Sequence, residues 1–166
     1  MYIRNSLTNI VGLAIATGLL LACTAALEGR VQTGQSGSTT LECSDCPAIP
    51  VERVIDGDTF DTTTDRIRLY GIDTPESGEP CYDEATDRLG ELAGDSVRVE
   101  AGPRQGDSYG RSLFYVYSMD GESIDETLVR EGLALAWTRD GQHKDVLMAA
   151  EREAKDNPAE CADESE

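Results

Sequence analysis

The most restrictive stretch of this chain runs from Val51 to Glu76. It holds two short runs, Asp56-Gly57-Asp58-Thr59 and Arg68-Leu69-Tyr70-Gly71-Ile72-Asp73-Thr74-Pro75-Glu76. Val51, Val54 and Ile55 begin a strand that turns at Asp56-Gly57. Thr59 to Thr63 is β-rich and polar at alternate positions, and Arg66 to Tyr70 alternates polar and apolar again. Pro75 and Gly78-Glu79-Pro80 then break the chain. The pattern admits a meander of three short strands. Asp58 falls just after one turn and Asp73 at the end of the third strand. If those strands are neighbours, both carboxylates meet at one end of a sheet.

The remainder extends that start. Cys81, Ala85, Leu89 and Leu92 recur at helical spacing, and Gly94 follows them. Val97 and Val99 alternate in a short strand. Leu113 to Tyr117 reads as a strand buried on both faces, or a barrel strand. Asp120-Gly121 is a hairpin-type turn. Ser123 and Glu126 have capping-box spacing and open a helix bearing Ile124, Leu128 and Val129. Gly132 stops it, Leu133 to Trp137 is short and apolar, and a last helix from about Gln142 carries Val146, Leu147, Ala150 and Ala154. Three strands, a helix, two strands and two helices predict a five-stranded OB-fold barrel flanked by three helices. With 166 residues, 39% hydrophobic, the chain can bury one modest core.

The chemistry lies in the two runs. Paired Asp carboxylates suit a hard cation such as Ca²⁺ or Mg²⁺, with the Thr74 carbonyl as a third oxygen. An EF-hand fails, because position 6 counted from Asp56 is Asp61 and position 12 is Ile67. Arg68 and Arg111, the latter in Tyr109-Gly110-Arg111, carry the planar fork that matches phosphate oxygens. Glu76 could hold and deprotonate a water. There is one His, His143, and no nucleophile elbow, Walker loop or His-containing metal motif. Metal-assisted phosphodiester hydrolysis is the chemistry these residues serve best. Asp56, Tyr109, Tyr115 and Trp137 are the accessory candidates, the aromatics in a substrate groove; for Tyr115 and Trp137 a place in the core is the other reading.

The termini predict location. Residues 1–23 carry Arg4 and no acid, then an apolar run from Ile10 to Ala22, too short for a comfortable membrane span and suited to a signal peptide. The run ends Leu21-Ala22-Cys23, similar to a lipoprotein signal, so Cys23 is a candidate membrane anchor. Residues 24–47, rich in Gly, Ser, Thr and Gln, are expected to be a flexible linker, 48–156 the globular domain and 157–166 an acidic tail. Export makes disulfides the default for Cys43, Cys46, Cys81 and Cys161, with the pairing open and Cys81–Cys161 one possibility. Cys43-Ser44-Asp45-Cys46 also has the spacing of a redox pair or half a zinc site.

The full chain has a net charge of −18, and 12 of its 14 basic residues are Arg. Such a surface is typical of proteins adapted to high salt. Basic patches of the usual nucleic-acid-binding kind are absent, so a polyanion must be met locally, by Arg and metal.

Val54-Ile55-Asp56-Gly57-Asp58-Thr59, Ile67 to Glu76, Asp107-Ser108-Tyr109-Gly110-Arg111 and Leu128-Val129-Arg130-Glu131-Gly132-Leu133-Ala134 together resemble the staphylococcal nuclease (thermonuclease) family. The similarity covers about residues 49–155. It implies an OB-fold barrel with three helices and Ca²⁺-dependent hydrolysis of DNA and RNA at the 5′ P–O bond, leaving 3′-phosphate ends. It implies Asp58, Asp73 and the Thr74 carbonyl as Ca²⁺ ligands with Asp56 behind them, and Glu76 as general base or water-orienting group. Arg68 and Arg111 would stabilise the transition state. The chain departs from the family in a Lys-free loop 101–109, in Trp137-Thr138 where paired Tyr are familiar, and in Asn157-Pro158-Ala159-Glu160-Cys161 at its end. The expectation is a monomeric, exported or membrane-anchored nuclease. The alternatives are a catalytically weak OB-fold module that binds nucleic acid or protein, and a lipoprotein whose acidic domain only buffers Ca²⁺.

The charge generates its own test. With 32 acids repelling unscreened at low ionic strength, the melting temperature of the purified protein rises steeply from low to molar salt. A melting temperature flat across that range contradicts the high-salt reading.

Overall fold

The computed structural model describes residues 40–156 and Ala159. The expected leader 1–23 with Cys23, the linker up to residue 39 and the rest of the tail lie outside the described residues. The elements follow in the order β1 (Ala48–Pro50), β2 (Arg53–Asp56), β3 (Thr59–Asp61), β4 (Arg66–Leu69), β5 (Ile72–Asp73), α1 (Tyr82–Ala93), β6 (Ser96–Gly106), β7 (Ser112–Tyr117), α2 (Ile124–Arg130), β8 (Leu135–Ala136) and α3 (Lys144–Ala154).

Six strands form one sheet in the order β1-β6-β7-β4-β3-β2. Neighbours are antiparallel except β4 and β7, which run parallel. The two ends of that order, β1 and β2, are consecutive pieces of chain joined by Val51 and Glu52. Val51 N–H donates to the Asp95 carbonyl and Glu52 N–H to the Asp61 carbonyl. The sheet therefore curls into an OB-type barrel whose ring is completed by the covalent chain rather than by a ladder. The five predicted strands are β2, β3, β4, β6 and β7. Strand β1 is an addition, and β5 and β8 form a separate antiparallel pair.

Burial follows the residue patterns. In β4, Ile67 and Leu69 are buried while Arg66 and Arg68 alternate with them. Phe60, Val97, Val99 and Leu113 join them in the core. Strand β7 buries Tyr115, Val116 and Tyr117 in succession, because α2 packs on it. Leu89 of α1, Leu128 of α2 and Leu147 of α3 are fully buried, each contributing about 2 kcal/mol.

Two expectations are corrected. The ordered domain starts upstream of residue 48. Leu41 is buried, its N–H donates to Glu126 Oε2 (2.6 Å) and its carbonyl accepts from Ser123 N–H. Cys43 N–H donates to the Gly121 carbonyl, and Arg98 donates to the Cys46 carbonyl. Residues 41–47 are thus a strap on the barrel, closed by a Cys43–Cys46 disulfide. Polar composition alone cannot reveal this, since backbone bonds hold the strap. Cys81 is also disulfide-bonded; Cys161 lies outside the described residues. The capping box is half formed. Ser123 Oγ accepts from Glu126 N–H (3.1 Å), but Glu126 does not reach back. It serves Leu41 and Arg130 instead.

The next residue along the chain from Ile124 explains how α2 is fixed to the sheet. Asp125 is wholly buried, and its carboxylate accepts from Val116 N–H (2.8 Å) and Gly71 N–H (3.4 Å). Burial pushes its pKa up to about 7, against the lowering effect of those two donors. A folded-state pKa above the unfolded value of 3.8 means that the native state holds the proton more tightly. The stabilisation is full below about pH 4 and is lost as pH rises through about 7. Asp125→Asn removes that slope. Unfolding free energies from urea titrations across this range fall with pH more steeply in the wild type than in the variant, by an amount on the order of a few kcal/mol. Parallel profiles would contradict this assignment.

Candidate active site

The turn between β2 and β3 delivers Asp58. Asp56 Oδ1 accepts from Asp58 N–H (3.1 Å), fixing the turn locally. Gly57 is needed for close approach, because a Cβ there would lie 2.7 Å from Ala85 Cβ and 3.0 Å from Thr74 Cβ. The turn is thereby pressed between α1 and the segment after β5. Asp58 is 6% exposed, and Leu69 N–H donates to its carbonyl, joining the turn to the end of β4.

Arg68 gathers the site. One terminal nitrogen donates to the carbonyls of Leu69 and Ile72, each at 2.9 Å. The other meets Asp58 Oδ2 at 2.9 Å and Asp73 Oδ1 at 2.6 Å. The two carboxylates predicted to converge do converge, around one guanidinium nitrogen. Burial raises the Asp58 pKa to about 6; Arg68, the Thr59 hydroxyl and the Thr74 backbone oppose the rise, and Asp56 adds to it. Asp73 is exposed, at the open side.

Arg111 joins from the other side of the sheet order. Its Nε donates to Asp107 Oδ2 (2.7 Å), and its backbone N–H to Asp107 Oδ1 (3.0 Å). Its Nη1 reaches Thr59 Oγ1 at 3.3 Å, and Thr59 Oγ1 donates to Asp58 Oδ1 at 2.8 Å. A continuous polar chain thus runs Asp107–Arg111–Thr59–Asp58–Arg68–Asp73. Glu76 is exposed, and its loop is held by exchange with Glu79: Glu76 N–H donates to Glu79 Oε2, and Glu79 N–H to the Glu76 carbonyl. Among the described residues the Glu76 carboxylate has no partner of its own.

These groups line one cleft of about 670 Å³, with Tyr70, Arg104, Tyr109, Trp137, Arg139 and Asp140 along the rest of its wall. Residues 66–159 match the family model described as staphylococcal nuclease homologue. The chain belongs to the staphylococcal nuclease family. It is 34% identical over 137 residues to the thermonuclease of Staphylococcus hyicus, covering 74% of this chain and 80% of that protein. It is 37% identical over 123 residues to the SPbeta prophage-derived endonuclease YokF of Bacillus subtilis (strain 168), covering 64% of this chain and 41% of that longer protein. It is 36% identical over 118 residues to the micrococcal nuclease of Shigella flexneri, covering 63% and 67%.

Within this staphylococcal nuclease fold, Asp56, Asp58, Arg68, Asp73, Thr74, Glu76, Tyr109, Arg111 and Trp137 share the cleft. Tyr115 does not. It is 1% exposed, its ring packs on Tyr70 and His143, and its hydroxyl lies against Gly141, so it belongs to the core. Strand alternation could not decide this, because β7 is covered on both faces. His143 is bonded to Glu100 rather than lining the cleft. Thr59, Asp107, Arg104, Arg139 and Asp140 were not singled out from sequence. The spacing Asp107-x-x-x-Arg111 carried the signal for one of them.

Among the described residues, no three His, Cys, Asp or Glu side chains form a metal-binding group by themselves. The donor chemistry nevertheless fits a hard cation. The cleft is lined by six carboxylates and four guanidiniums, an acidic excess. Asp58 is a carboxylate that burial penalises as an anion. Two carboxylates, with carbonyl and water oxygens completing the shell, are a common arrangement for Ca²⁺ or Mg²⁺.

Arg68→Lys tests the organising role of the guanidinium. An ammonium cannot hold two carbonyls and two carboxylates at once. Chemical denaturation is expected to show a loss of about 1–3 kcal/mol, the cost of leaving buried acceptors unpaired. Unchanged stability would separate Arg68 from the architecture of the turn.

Proposed function

We propose that this protein is an exported, Ca²⁺-dependent nuclease that hydrolyses phosphodiester bonds of DNA and RNA at the 5′ P–O bond, leaving 3′-phosphate ends. The observation that carries the reading is the convergence of Asp58, Asp73, Arg68 and Arg111 on one cleft, linked through Thr59, with Glu76 unpaired at its wall. The relatives named thermonuclease, endonuclease and micrococcal nuclease support the class of reaction.

The cation would be held by the Asp58 and Asp73 carboxylates and the Thr74 carbonyl, with Asp56 behind them. When bound it supplies positive charge to a phosphate oxygen. The chain's own groups supply the rest. Arg68 can exchange its bonds to Asp58 and Asp73 for a phosphate placed beside them. Arg111 is anchored by Asp107 through Nε and by Thr59 through Nη1, which leaves Nη2 for a second phosphate oxygen. These donors stabilise charge that grows on the phosphorane-like transition state. Glu76, free of ion pairs, accepts the proton of the attacking water. Tyr109, 84% exposed with Arg111 stacked 5.5 Å from its ring, stands at the mouth where a nucleotide would enter.

Export rests on residues 1–23, and anchorage on lipidation of Cys23. A monomer is the proposed state.

Plasmid digestion with Ca²⁺ or with chelator, in low and in molar salt, tests the activity. Cutting that requires Ca²⁺ is expected, and no Ca²⁺-dependent cutting in either salt regime sinks the reading. Products should prime a polymerase only after phosphatase treatment, as 3′-phosphate ends require. Glu76→Ala is expected to lower turnover about 10²-fold or more while substrate binding is kept. A variant of wild-type rate would remove Glu76 from the chemistry.

A further inference from the structure

One part of the cleft wall has no role in the reaction just described. Tyr70 is 2% exposed and lines the cleft, yet its hydroxyl has no hydrogen-bond partner among the described residues. A buried hydroxyl left unpaired is costly, and in a native structure it points to a group that is not yet in place. Burial, and after it the nearby Asp140 carboxylate, hold the Tyr70 pKa above its ordinary value. Asp140 accepts from Trp137 Nε1 (2.9 Å) and from Arg104 Nε (3.2 Å).

Two cations flank this hydroxyl and the indole beside it. The Arg104 guanidinium lies 5.3 Å from the centre of the Tyr70 ring, and that of Arg139 lies 5.0 Å from the centre of the Trp137 ring. Arg139 makes no ion pair or hydrogen bond with the described residues. In a chain of net charge −18, a guanidinium in the same cleft as six carboxylates but paired with none is an unspent positive charge. The wall therefore offers two guanidinium forks and a phenolic donor. Its one acceptor, Asp140, is already occupied. Donors without a matching acceptor select an anion, and a tetrahedral oxyanion suits two forks and a hydroxyl.

We propose that Tyr70, Arg104 and Arg139 form a second phosphate subsite, which holds a phosphodiester next to the one placed between Arg68 and Arg111. This rests on the nucleic-acid reading of the cleft. Its consequence is a length requirement: the protein engages a chain with several phosphates much better than a dinucleotide with one. Arg104 serves by sharing its guanidinium between Asp140 and the phosphate, Arg139 by its unpaired charge, and Tyr70 by donating its hydroxyl.

The test is calorimetric titration, in chelator, with thymidine oligonucleotides containing one or three phosphodiesters and no terminal phosphate. Inorganic phosphate at matched ionic strength is the control. The wild type is expected to bind the longer oligonucleotide about tenfold or more tightly than the shorter, and to bind inorganic phosphate far more weakly than either. Emission of Trp137, the chain's only tryptophan, should shift with the longer ligand. Arg139→Ala and Tyr70→Phe should each remove about five- to tenfold of the affinity for the longer oligonucleotide and leave the shorter unchanged. Arg139 is exposed, and Tyr70→Phe keeps the buried ring, so both variants retain the fold. Equal affinity for the two lengths, variants that bind like the wild type, or inorganic phosphate bound as tightly as the longer oligonucleotide would each overturn the subsite. If the length dependence and its loss in the variants are seen but nothing is cut with Ca²⁺, the subsite stands and the nuclease reading falls. If DNA is cut without length dependence in binding, the reverse holds.

Discussion

Arg68 is the residue on which the arrangement of this protein turns. Its guanidinium closes the β4–β5 turn by bonding the carbonyls of Leu69 and Ile72, and it draws Asp58 and Asp73 together with its remaining nitrogen. The first pair of bonds is structural and the second chemical, and one rigid fork makes both. An ion pair with a buried carboxylate is favourable only when geometry and further hydrogen bonds offset the loss of hydration. Here the Thr59 hydroxyl and the Thr74 backbone supply those bonds, yet the Asp58 pKa still rises to about 6. The site is therefore held in a state that additional positive charge would relieve.

That local need stands against the charge of the whole molecule. A polyanionic protein and a polyanionic substrate repel over the Debye length, which is roughly 10 Å at 0.1 M salt and about 3 Å at 1 M. In concentrated salt the global repulsion is screened, while contacts inside a partly buried cleft survive. Four of the twelve arginines line that cleft. Six carboxylates share that cleft, so its guanidiniums act locally, each against an acidic background. Lysine scarcity fits the same logic, since a planar fork that both stacks and bonds bidentately keeps its contacts where a hydrated point charge loses them.

The parts legible in the sequence were those governed by local periodicity and by turns. The alternation of Ile67 and Leu69 with Arg66 and Arg68 gave β4, and Asp56-Gly57 gave the turn that presents Asp58. Placing Asp58, Asp73 and Arg111 in one site needed the joint occurrence of several runs, because no single run carried it. What stayed hidden depended on contacts distant in sequence. The Leu41 N–H is buried by Glu126, 85 residues away, so a stretch of linker-like composition became part of the domain. The pairing of Arg104 with Asp140 spans 36 residues between two loops, where no periodicity operates. Tyr115 was ambiguous because a strand covered on both faces gives the same pattern whichever side a tyrosine takes.

The site is also governed from behind, by residues that do not touch it. Gly71 follows the end of β4, two residues before Asp73. Its N–H faces Asp125 of α2, and its carbonyl accepts from Trp137 N–H just past β8. A side chain at Gly71 would collide with Leu147 Cδ1 at 2.3 Å and Tyr115 Cε1 at 2.9 Å, so α3 and β7 close the remaining sides. The position of Asp73 relative to Asp58 is thus set by Arg68 in front and by α2, α3 and β8 behind. Catalytic arrangements tolerate displacements of only about half an ångström. The well-packed helices therefore have a part in the chemistry: they fix a two-residue turn that, on its own, could not hold two carboxylates against each other.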